Sequence, residues 1–264
     1  MIVDVPRDPA PPPAIVETMD AVLRRTTHQV TTHDGVQIAF DLYQQPGRDT
    51  VLIICPGFFQ SKNTLTFRRL ATELARERDV LCLDFRGHGD STGLYTFGAR
   101  EDVDLEAVLQ WAQAHYPRVV LLGFSLGAAT ALQVASQHGG VQGLIAISAP
   151  ATEQIEFRWW TLEGLRTGLE GLESRAGCRP GNPWLPKPRP IDAIPRLASI
   201  PILLIHGTRD RIILPQHSER LYAQATGLTQ LVFVEGGGHA EALYRRDPKR
   251  FLTMVETWLA TVNP

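Results

Sequence analysis

The stretch VVLLGFSLGAAT, residues 119–130, decides how the rest of this sequence is interpreted. It opens with four apolar residues typical of a buried strand and continues into helix-like sequence. The Gly-x-Ser-x-Gly pattern at 123–127 falls on the turn between them, where strand and helix pass too closely for side chains. Such a turn lifts a serine hydroxyl out of the end of a strand, so Ser125 is the predicted nucleophile.

Apolar runs and helix-like segments alternate on both sides of this turn. Continuous apolar runs are typical of parallel strands buried on both faces, and their alternation with helices predicts a doubly wound α/β sheet. The predicted strands lie at 51–55, 80–83, 119–122, 144–147, 202–205 and 231–234, and the predicted helices at about 65–78, 103–115, 126–137, 216–225 and 248–261.

The N-terminal part of the chain follows another pattern. Residues 1–13 carry prolines at positions 6, 9, 11, 12 and 13, which exclude regular structure and predict an extended arm. A short helix is predicted at about 14–25. Residues 36–43 then alternate with a period of two, which predicts a half-exposed strand at an antiparallel edge of the sheet.

The alternation of strands and helices is interrupted at residues 151–194. A crossover needs one helix and a few loop residues, so we interpret this longer stretch as a cap inserted within a single domain that spans 1–264. The insertion is rich in aromatic and leucine side chains, and we expect it to pack over a pocket. Trp159 and Trp160 are its predicted pocket residues.

The composition is that of a globular protein, because 44% of the 264 residues are apolar and 20% are charged. A formal net charge of −2 provides no overall field for attracting nucleic acid. No apolar stretch approaches the roughly 18 residues that a membrane helix needs, and a cytoplasmic location is expected. The three cysteines lack metal-ligand spacing, and Cys55 and Cys82 are interpreted as core residues of predicted strands.

A serine nucleophile needs a base that takes its proton and an acid that orients the base. In an open α/β sheet these groups follow the carboxyl ends of strands. Asp210 follows the predicted strand at 202–205, and His239 ends the glycine-rich loop after the strand at 231–234. The order Ser125, Asp210, His239 along the chain is the one that this kind of serine turn uses. These three side chains are therefore the predicted catalytic residues.

Acyl transfer also needs donors for the oxyanion that forms at the attacked carbonyl. The first predicted donor is the backbone N–H of Leu126, which follows the nucleophile at the N-terminus of a helix. The second is the backbone N–H of Phe58, in the loop after the strand at 51–55. Backbone donors leave the neighbouring side chains available to line an acyl pocket, and Phe59 is assigned to that pocket.

Five motifs occur in a fixed order: PGF at 56–58, DFRGHGDS at 84–91, the serine turn at 123–127, HGxxD at 206–210 and GH at 238–239. With this set the chain resembles the α/β-hydrolase family, of the esterase, lipase and acylaminopeptidase-like kind, from about residue 30 to 259. The resemblance implies a mostly parallel eight-stranded sheet. It also implies a serine hydrolase for small to medium carboxylic esters or thioesters, without a metal or organic cofactor.

Several alternatives stay open from the sequence. Some members of the family place the acid after the preceding strand, which would make Glu153 the acid instead of Asp210. Three other histidines compete with His239 as the base: His88, His206 and His217. The same site would suit an amidase or aminopeptidase, or an acyltransferase in which an alcohol replaces water. A non-catalytic binding protein could also use this fold.

Overall fold

The computed structural model describes residues 23–152 and 177–262, which form one eight-stranded sheet with helices on both faces. The strands are β1 (Arg24–Thr31), β2 (Gln37–Gln44), β3 (Thr50–Cys55), β4 (Asp79–Leu83), β5 (Arg118–Phe124), β6 (Gly143–Ile147), β7 (Ile202–Gly207) and β8 (Thr229–Val234). The helices are α1 (Leu65–Leu74), α2 (Glu101–His115), α3 (Leu126–His138), α4 (Pro190–Ala193), α5 (Gln216–Gln224), α6 (Ala242–Arg246) and α7 (Pro248–Val262), with a 3-10 helix at Ile194–Leu197.

The strands lie side by side in the order β1-β2-β4-β3-β5-β6-β7-β8. Strand β2 is antiparallel to both of its neighbours, whereas every pair from β4 to β8 is parallel. The predicted doubly wound, mostly parallel sheet with an antiparallel N-terminal edge is therefore confirmed. Because β3 pairs with β5 so that Cys55 lies beside Gly123, the loop after β3 starts next to the serine turn.

Two apolar cores cover the two faces of the sheet. Val51 and Ile53 of β3 pack in the core that contains α2 and α3, whereas Leu52 and Ile54 pack with α1 and α7. Successive side chains of a strand point to opposite faces, so a strand covered on both sides must be apolar at every position. This is why continuous apolar runs predicted the central strands to within one or two residues.

Two strands differ from their prediction in burial. Residues 38–43 of β2, predicted to be half-exposed, are buried throughout. The buried polar position is Asp41, which is neutralised by ion pairs with Arg25 and Lys62. Strand β8, predicted to be buried on both faces, has Val234 as its buried residue and is otherwise partly exposed, because it is the last strand of the sheet.

The N-terminal prediction is wrong where the structure can be compared with it. Arg24 and Arg25, the last residues of the predicted helix at about 14–25, belong to strand β1. Thr26 and Thr27 are β-branched and favour a strand, and Arg25 Nε donates to Asp41 Oδ2 of β2 at 2.9 Å. The predicted arm at 1–13 and the rest of that helix lie outside the described residues.

The predicted cap at 151–194 is described at residues 151–152 and 177–194. Its two flanks meet, because the N–H of Ile191 donates to the carbonyl of Ala151 at 2.9 Å. The C-terminal flank also reaches the loop after β4, where the N–H of Arg179 donates to the carbonyl of Gly87 and its carbonyl accepts the N–H of Tyr95. Trp159, Trp160 and Glu153 lie outside the described residues. None of the helices within 23–152 and 177–262 has the length and apolar content needed to cross a bilayer.

Candidate active site

The serine turn joins the end of β5 directly to the start of α3. Ser125 has φ 52°, in the left-handed region that non-glycine residues rarely adopt, and its N–H donates to the carbonyl of Ile147 at 2.8 Å. A Cβ atom at Gly127 would overlap the carbonyl oxygen of Cys55, and one at Gly123 would overlap the backbone of Ala128. Glycine is therefore required on both sides of the serine, and the turn holds Ser125 in a conformation that projects it beyond the strand end.

The three predicted catalytic side chains come together in one line. Ser125 Oγ lies 3.0 Å from His239 Nε2, and His239 Nδ1 lies 2.8 Å from Asp210 Oδ2. The three residues come from the loops after β5, β7 and β8, although 114 positions separate Ser125 from His239. Both ring nitrogens of the imidazole are within hydrogen-bond distance of their expected partners.

Asp210 is held in place on both of its oxygens. The N–H groups of Ile212 and Ile213 donate to Oδ1 at 2.9 and 3.0 Å, and His206 Nε2 lies 3.3 Å from Oδ2. Burial by itself would raise the pKa of Asp210, but the electrostatic interactions and hydrogen bonds with His239 and His206 outweigh it. The net effect holds the pKa of Asp210 well below its usual range, so the carboxylate is ionised.

The three histidines that compete with His239 as the base contact groups other than Ser125. His206 Nδ1 lies 2.6 Å from Ser218 Oγ and its Nε2 lies 2.9 Å from the carbonyl of Ile213, so it sits behind Asp210. His88 Nδ1 lies 3.1 Å from the carbonyl of Arg86, and burial lowers the pKa of His88 to about 4. His217 Nδ1 accepts the N–H of Ala151. His239 is the histidine that the structure places against Ser125.

A tight turn aims His239 at the serine. Ala240 has φ 45°, and its N–H donates to Ser148 Oγ at 3.0 Å. Ser148 itself has φ 49° at the end of β6. No sequence pattern indicates this contact, since Ser148 lies in an ordinary strand-to-loop segment and its partner is 92 residues away.

The two predicted oxyanion donors lie in neighbouring loops. Leu126 is the first residue of α3, and the first N–H groups of a helix have no acceptor within it. The loop that contains Phe58 is closed by the N–H of Gly57, which donates to Gln60 Oε1 at 3.2 Å. Phe58, Leu126 and Ser125 all line the same cavity. The assignment of these N–H groups to an oxyanion stays a prediction.

The cavity over Ser125 has a volume of about 500 Å³ and mainly apolar walls. Phe58 lies in an aromatic cluster, with ring centroids 3.7 Å from Phe59 and 5.2 Å from Tyr95, and Tyr95 lies 4.6 Å from Phe97. The predicted pocket residue Phe59 lines the cavity. Tyr95 and Phe97 were missed by the sequence analysis, because their loop after β4 shows no periodicity that indicates which side chains face inward.

A buried carboxylate fixes the loop that carries Phe97. Glu101 is fully buried and accepts the N–H groups of Thr96 and Gly98, each at 2.7 Å, together with the hydroxyl of Thr96 at 2.9 Å. Phe97 lies between the two donors with φ 59°. The aromatic wall of the cavity is thus held by backbone hydrogen bonds to one side chain.

Among the described residues, no cluster of three or more histidine, cysteine, aspartate or glutamate side chains could hold a metal ion.

Comparisons with known proteins agree with this architecture. Residues 52–253 match the model of the alpha/beta hydrolase family. The uncharacterized protein YfhR of Escherichia coli K12 is 29% identical over 202 residues, which cover 72% of this chain and 63% of YfhR, less than two thirds of its length. The esterase Pf2001 of Pyrococcus furiosus shares the fold with a TM-score of 0.73 and 21% identity, over 90% of this chain and 93% of its own. The esterase RhEst1 of Rhodococcus sp. ECU1013 also shares the fold, with a TM-score of 0.72 and 18% identity over 90% of this chain and 99% of RhEst1. The chain belongs to the α/β-hydrolase family.

Proposed function

We propose that this protein is a serine hydrolase that cleaves carboxylic esters through an acyl-enzyme intermediate. The observation that carries the proposal is the line of hydrogen-bonding contacts from Ser125 Oγ through both nitrogens of His239 to Asp210, with distances of 3.0 and 2.8 Å. A hydroxyl next to an imidazole that is itself oriented by an ionised carboxylate is the arrangement that activates a serine nucleophile. The esterases that share the fold support this choice of bond.

In the proposed reaction, Ser125 Oγ attacks the ester carbonyl while His239 Nε2 takes the hydroxyl proton. Asp210 stabilises the imidazolium that forms, and the N–H groups of Phe58 and Leu126 hold the oxyanion of the tetrahedral intermediate. The intermediate collapses to the acyl-enzyme, and the departing alcohol leaves with the proton from His239. Water then attacks the acyl-enzyme with the help of the same imidazole, which releases the carboxylic acid and restores Ser125.

The walls of the cavity favour an apolar acyl group of small to medium size. A volume of about 500 Å³ lies within the range of small-molecule sites, and the rings of Phe58, Phe59, Tyr95 and Phe97 offer apolar surface. Pro183 and Pro188, from the predicted cap, also line the cavity. This supports the proposal that the insertion at 151–194 contributes to substrate selection.

The nucleophile is tested by labelling with a fluorophosphonate probe, which reacts with activated serines. Wild-type protein is expected to be labelled, and Ser125→Ala is expected to lose the label completely. Ser136→Ala is the matched control, because Ser136 lies on the helix that follows Ser125 and its hydroxyl donates a hydrogen bond to the carbonyl of Gln133 at 2.8 Å. Labelling that persists in Ser125→Ala would place the nucleophile at another residue.

The bond and the acyl group are tested with a panel of nitrophenyl esters, acyl-CoA thioesters and aminoacyl amides of increasing chain length. At equal chain length, we expect the esters to be cleaved with a higher kcat/KM than the thioesters and the amides. A preference for the amides would favour an amidase on the same site. Formation of a new ester when an alcohol is added, measured by product analysis, would favour an acyltransferase.

A further inference from the structure

One carboxylate in the cavity is not used by the proposed reaction. Glu241 lines the cavity and is only 4% exposed. No hydrogen bond or ion pair joins its carboxylate to any side chain or N–H within 23–152 and 177–262. A buried carboxylate without a partner is costly, so such a group in a binding cavity points to a ligand that supplies the missing donor.

The Glu241 side chain lies at the wall of the cavity. In the described part of the chain, the side-chain nitrogen and oxygen atoms that are inaccessible to solvent and lack a hydrogen-bond partner belong to His88 and Thr229. The oxygens of Glu241 are not among them, so they keep some accessible surface. The turn at Ala240, with φ 45°, separates Glu241 from His239 by one residue and places both on the cavity wall.

The other charges of the wall do not neutralise Glu241. Lys187 lines the cavity, and its Nζ donates to the carbonyls of Pro183 at 2.6 Å and Leu185 at 3.2 Å. These neutral acceptors leave its positive charge in place, so the charge of the wall depends on the number of acidic groups. Asp102, a further lining residue, is also acidic. The electrostatic character of this wall therefore favours a positive group and disfavours a negative one.

The aromatic residues of the cavity suit the same kind of ligand. An ammonium group is attracted to the face of an aromatic ring as well as to a carboxylate, and Phe58, Phe59, Tyr95 and Phe97 supply ring surface together with room for an alkyl chain. We propose that Glu241 is a binding residue for substrates that carry a protonated amine on an alkyl chain. The inference rests on the proposed function and names the substrate class of the same site.

The test uses three probes of equal chain length: hexylammonium, 1-hexanol and hexanoate. Each is measured as a competitive inhibitor of nitrophenyl ester hydrolysis at pH 7, where the amine is charged. Because a hydrogen bond to a charged group contributes about 1.5–3 kcal/mol, hexylammonium is expected to bind at least about 10-fold more tightly than 1-hexanol. Hexanoate is expected to bind most weakly.

Variants assign the preference to one side chain. Glu241→Gln is expected to reduce the ratio of hexylammonium to 1-hexanol affinity to within about 3-fold, whereas Glu241→Asp, which keeps the charge, is expected to retain part of it. Glu235→Gln is the matched control, since Glu235 is exposed in the same loop and its loss removes an equal charge. Equal affinity of the wild type for hexylammonium and 1-hexanol, or an undiminished ratio in Glu241→Gln, would overturn the inference.

A binding measurement separates this inference from the proposed function. Calorimetric titration of Ser125→Ala with hexylammonium and 1-hexanol needs no turnover and is expected to show the same preference. If the wild type neither cleaved esters nor accepted the fluorophosphonate, the proposed function would fail while the titration still reported on Glu241. If esters were cleaved but the titration showed no preference for hexylammonium, the inference about Glu241 would fail alone.

Discussion

The backbone N–H of Lys62 donates to Asp84 Oδ1 at 2.6 Å, which ties the loop after β3 to the loop after β4. The ammonium group of Lys62 is buried as well, 2.5 Å from Asp90 Oδ2 and 3.5 Å from Asp41 Oδ1. Burial raises the pKa of Asp84 to about 6 although Lys62 acts in the opposite direction. The loop that carries Phe58 therefore ends on a buried network of charges, and its position depends on Asp84.

Replacing Asp84 is expected to weaken both the fold and the reaction. Asp84→Ala removes an acceptor from a buried lysine and releases the N–H of Lys62, and loss of one partner of a buried pair costs about 3–5 kcal/mol. We expect a decrease of that size in the free energy of unfolding, measured in urea, together with a lower kcat. Asp49→Ala is the control, because the Asp49 side chain is 60% exposed and its partner Arg118 is 38% exposed, so its loss is expected to cost much less. Equal losses in the two variants would contradict this account.

Asp210 links the proposed reaction to stability. Asp210→Asn is expected to lower kcat by about 10⁴-fold, because the amide cannot hold the imidazole in the required tautomer. The folded-state pKa of Asp210 lies below that of the unfolded chain, so its ionised form stabilises the fold above about pH 4 and loses this contribution as the pH falls further. Urea unfolding should show a stability difference between wild type and Asp210→Asn that shrinks from pH 7 to pH 3. A difference independent of pH would argue against an ionised Asp210.

The pH dependence of activity should report the base. We expect kcat/KM with a nitrophenyl ester to fall as the pH drops through about 7 to 6, because a protonated imidazole cannot accept the serine proton. Asp210 stays ionised over this range, so protonation of this carboxylate does not account for the expected fall. A flat profile from pH 5 to 8 would count against His239 as the base.

Phe97 should limit the length of the acyl group. Its ring lies 5.9 Å from that of Phe58 and 4.6 Å from that of Tyr95, and removing it enlarges the cavity. We expect Phe97→Ala to raise kcat/KM for long acyl esters relative to short ones, measured with a nitrophenyl ester series. Leu94→Ala, in the same loop but with Leu94 56% exposed, should leave the chain-length preference unchanged. The same shift in both variants would show a general loosening of the loop.

The parts of the fold that the sequence predicted share one physical property. Strands β3 and β5 are buried on both faces, so an uninterrupted apolar run was enough to identify them. Strand β1 was missed because RRTTHQVT offers little apolar contrast. The burial of Asp41 in β2 was missed because it depends on Arg25 and Lys62, which reach it from other segments.

The candidate site likewise contains some residues that the sequence predicted and others that it did not. The positions of Ser125, Asp210 and His239 follow from the rule that site residues come after the carboxyl ends of parallel strands, and the structure places His239 within hydrogen-bond distance of both Ser125 and Asp210. Tyr95, Phe97 and Glu241 depend instead on turns with positive φ at Phe97 and Ala240. The conformation of such turns is set by distant partners such as Glu101 and Ser148, which a local pattern does not contain.

The crowding around Gly123 and Gly127 has a practical consequence for protein engineering. Neither glycine has room for even a methyl group, so a library that randomises residues 123–127 would consist mostly of variants that no longer present the serine. Diversity aimed at a new substrate is better introduced at Phe59, Phe97 and Glu241, whose side chains line the cavity. The proposed nucleophile can then be kept constant while the space around it is redesigned.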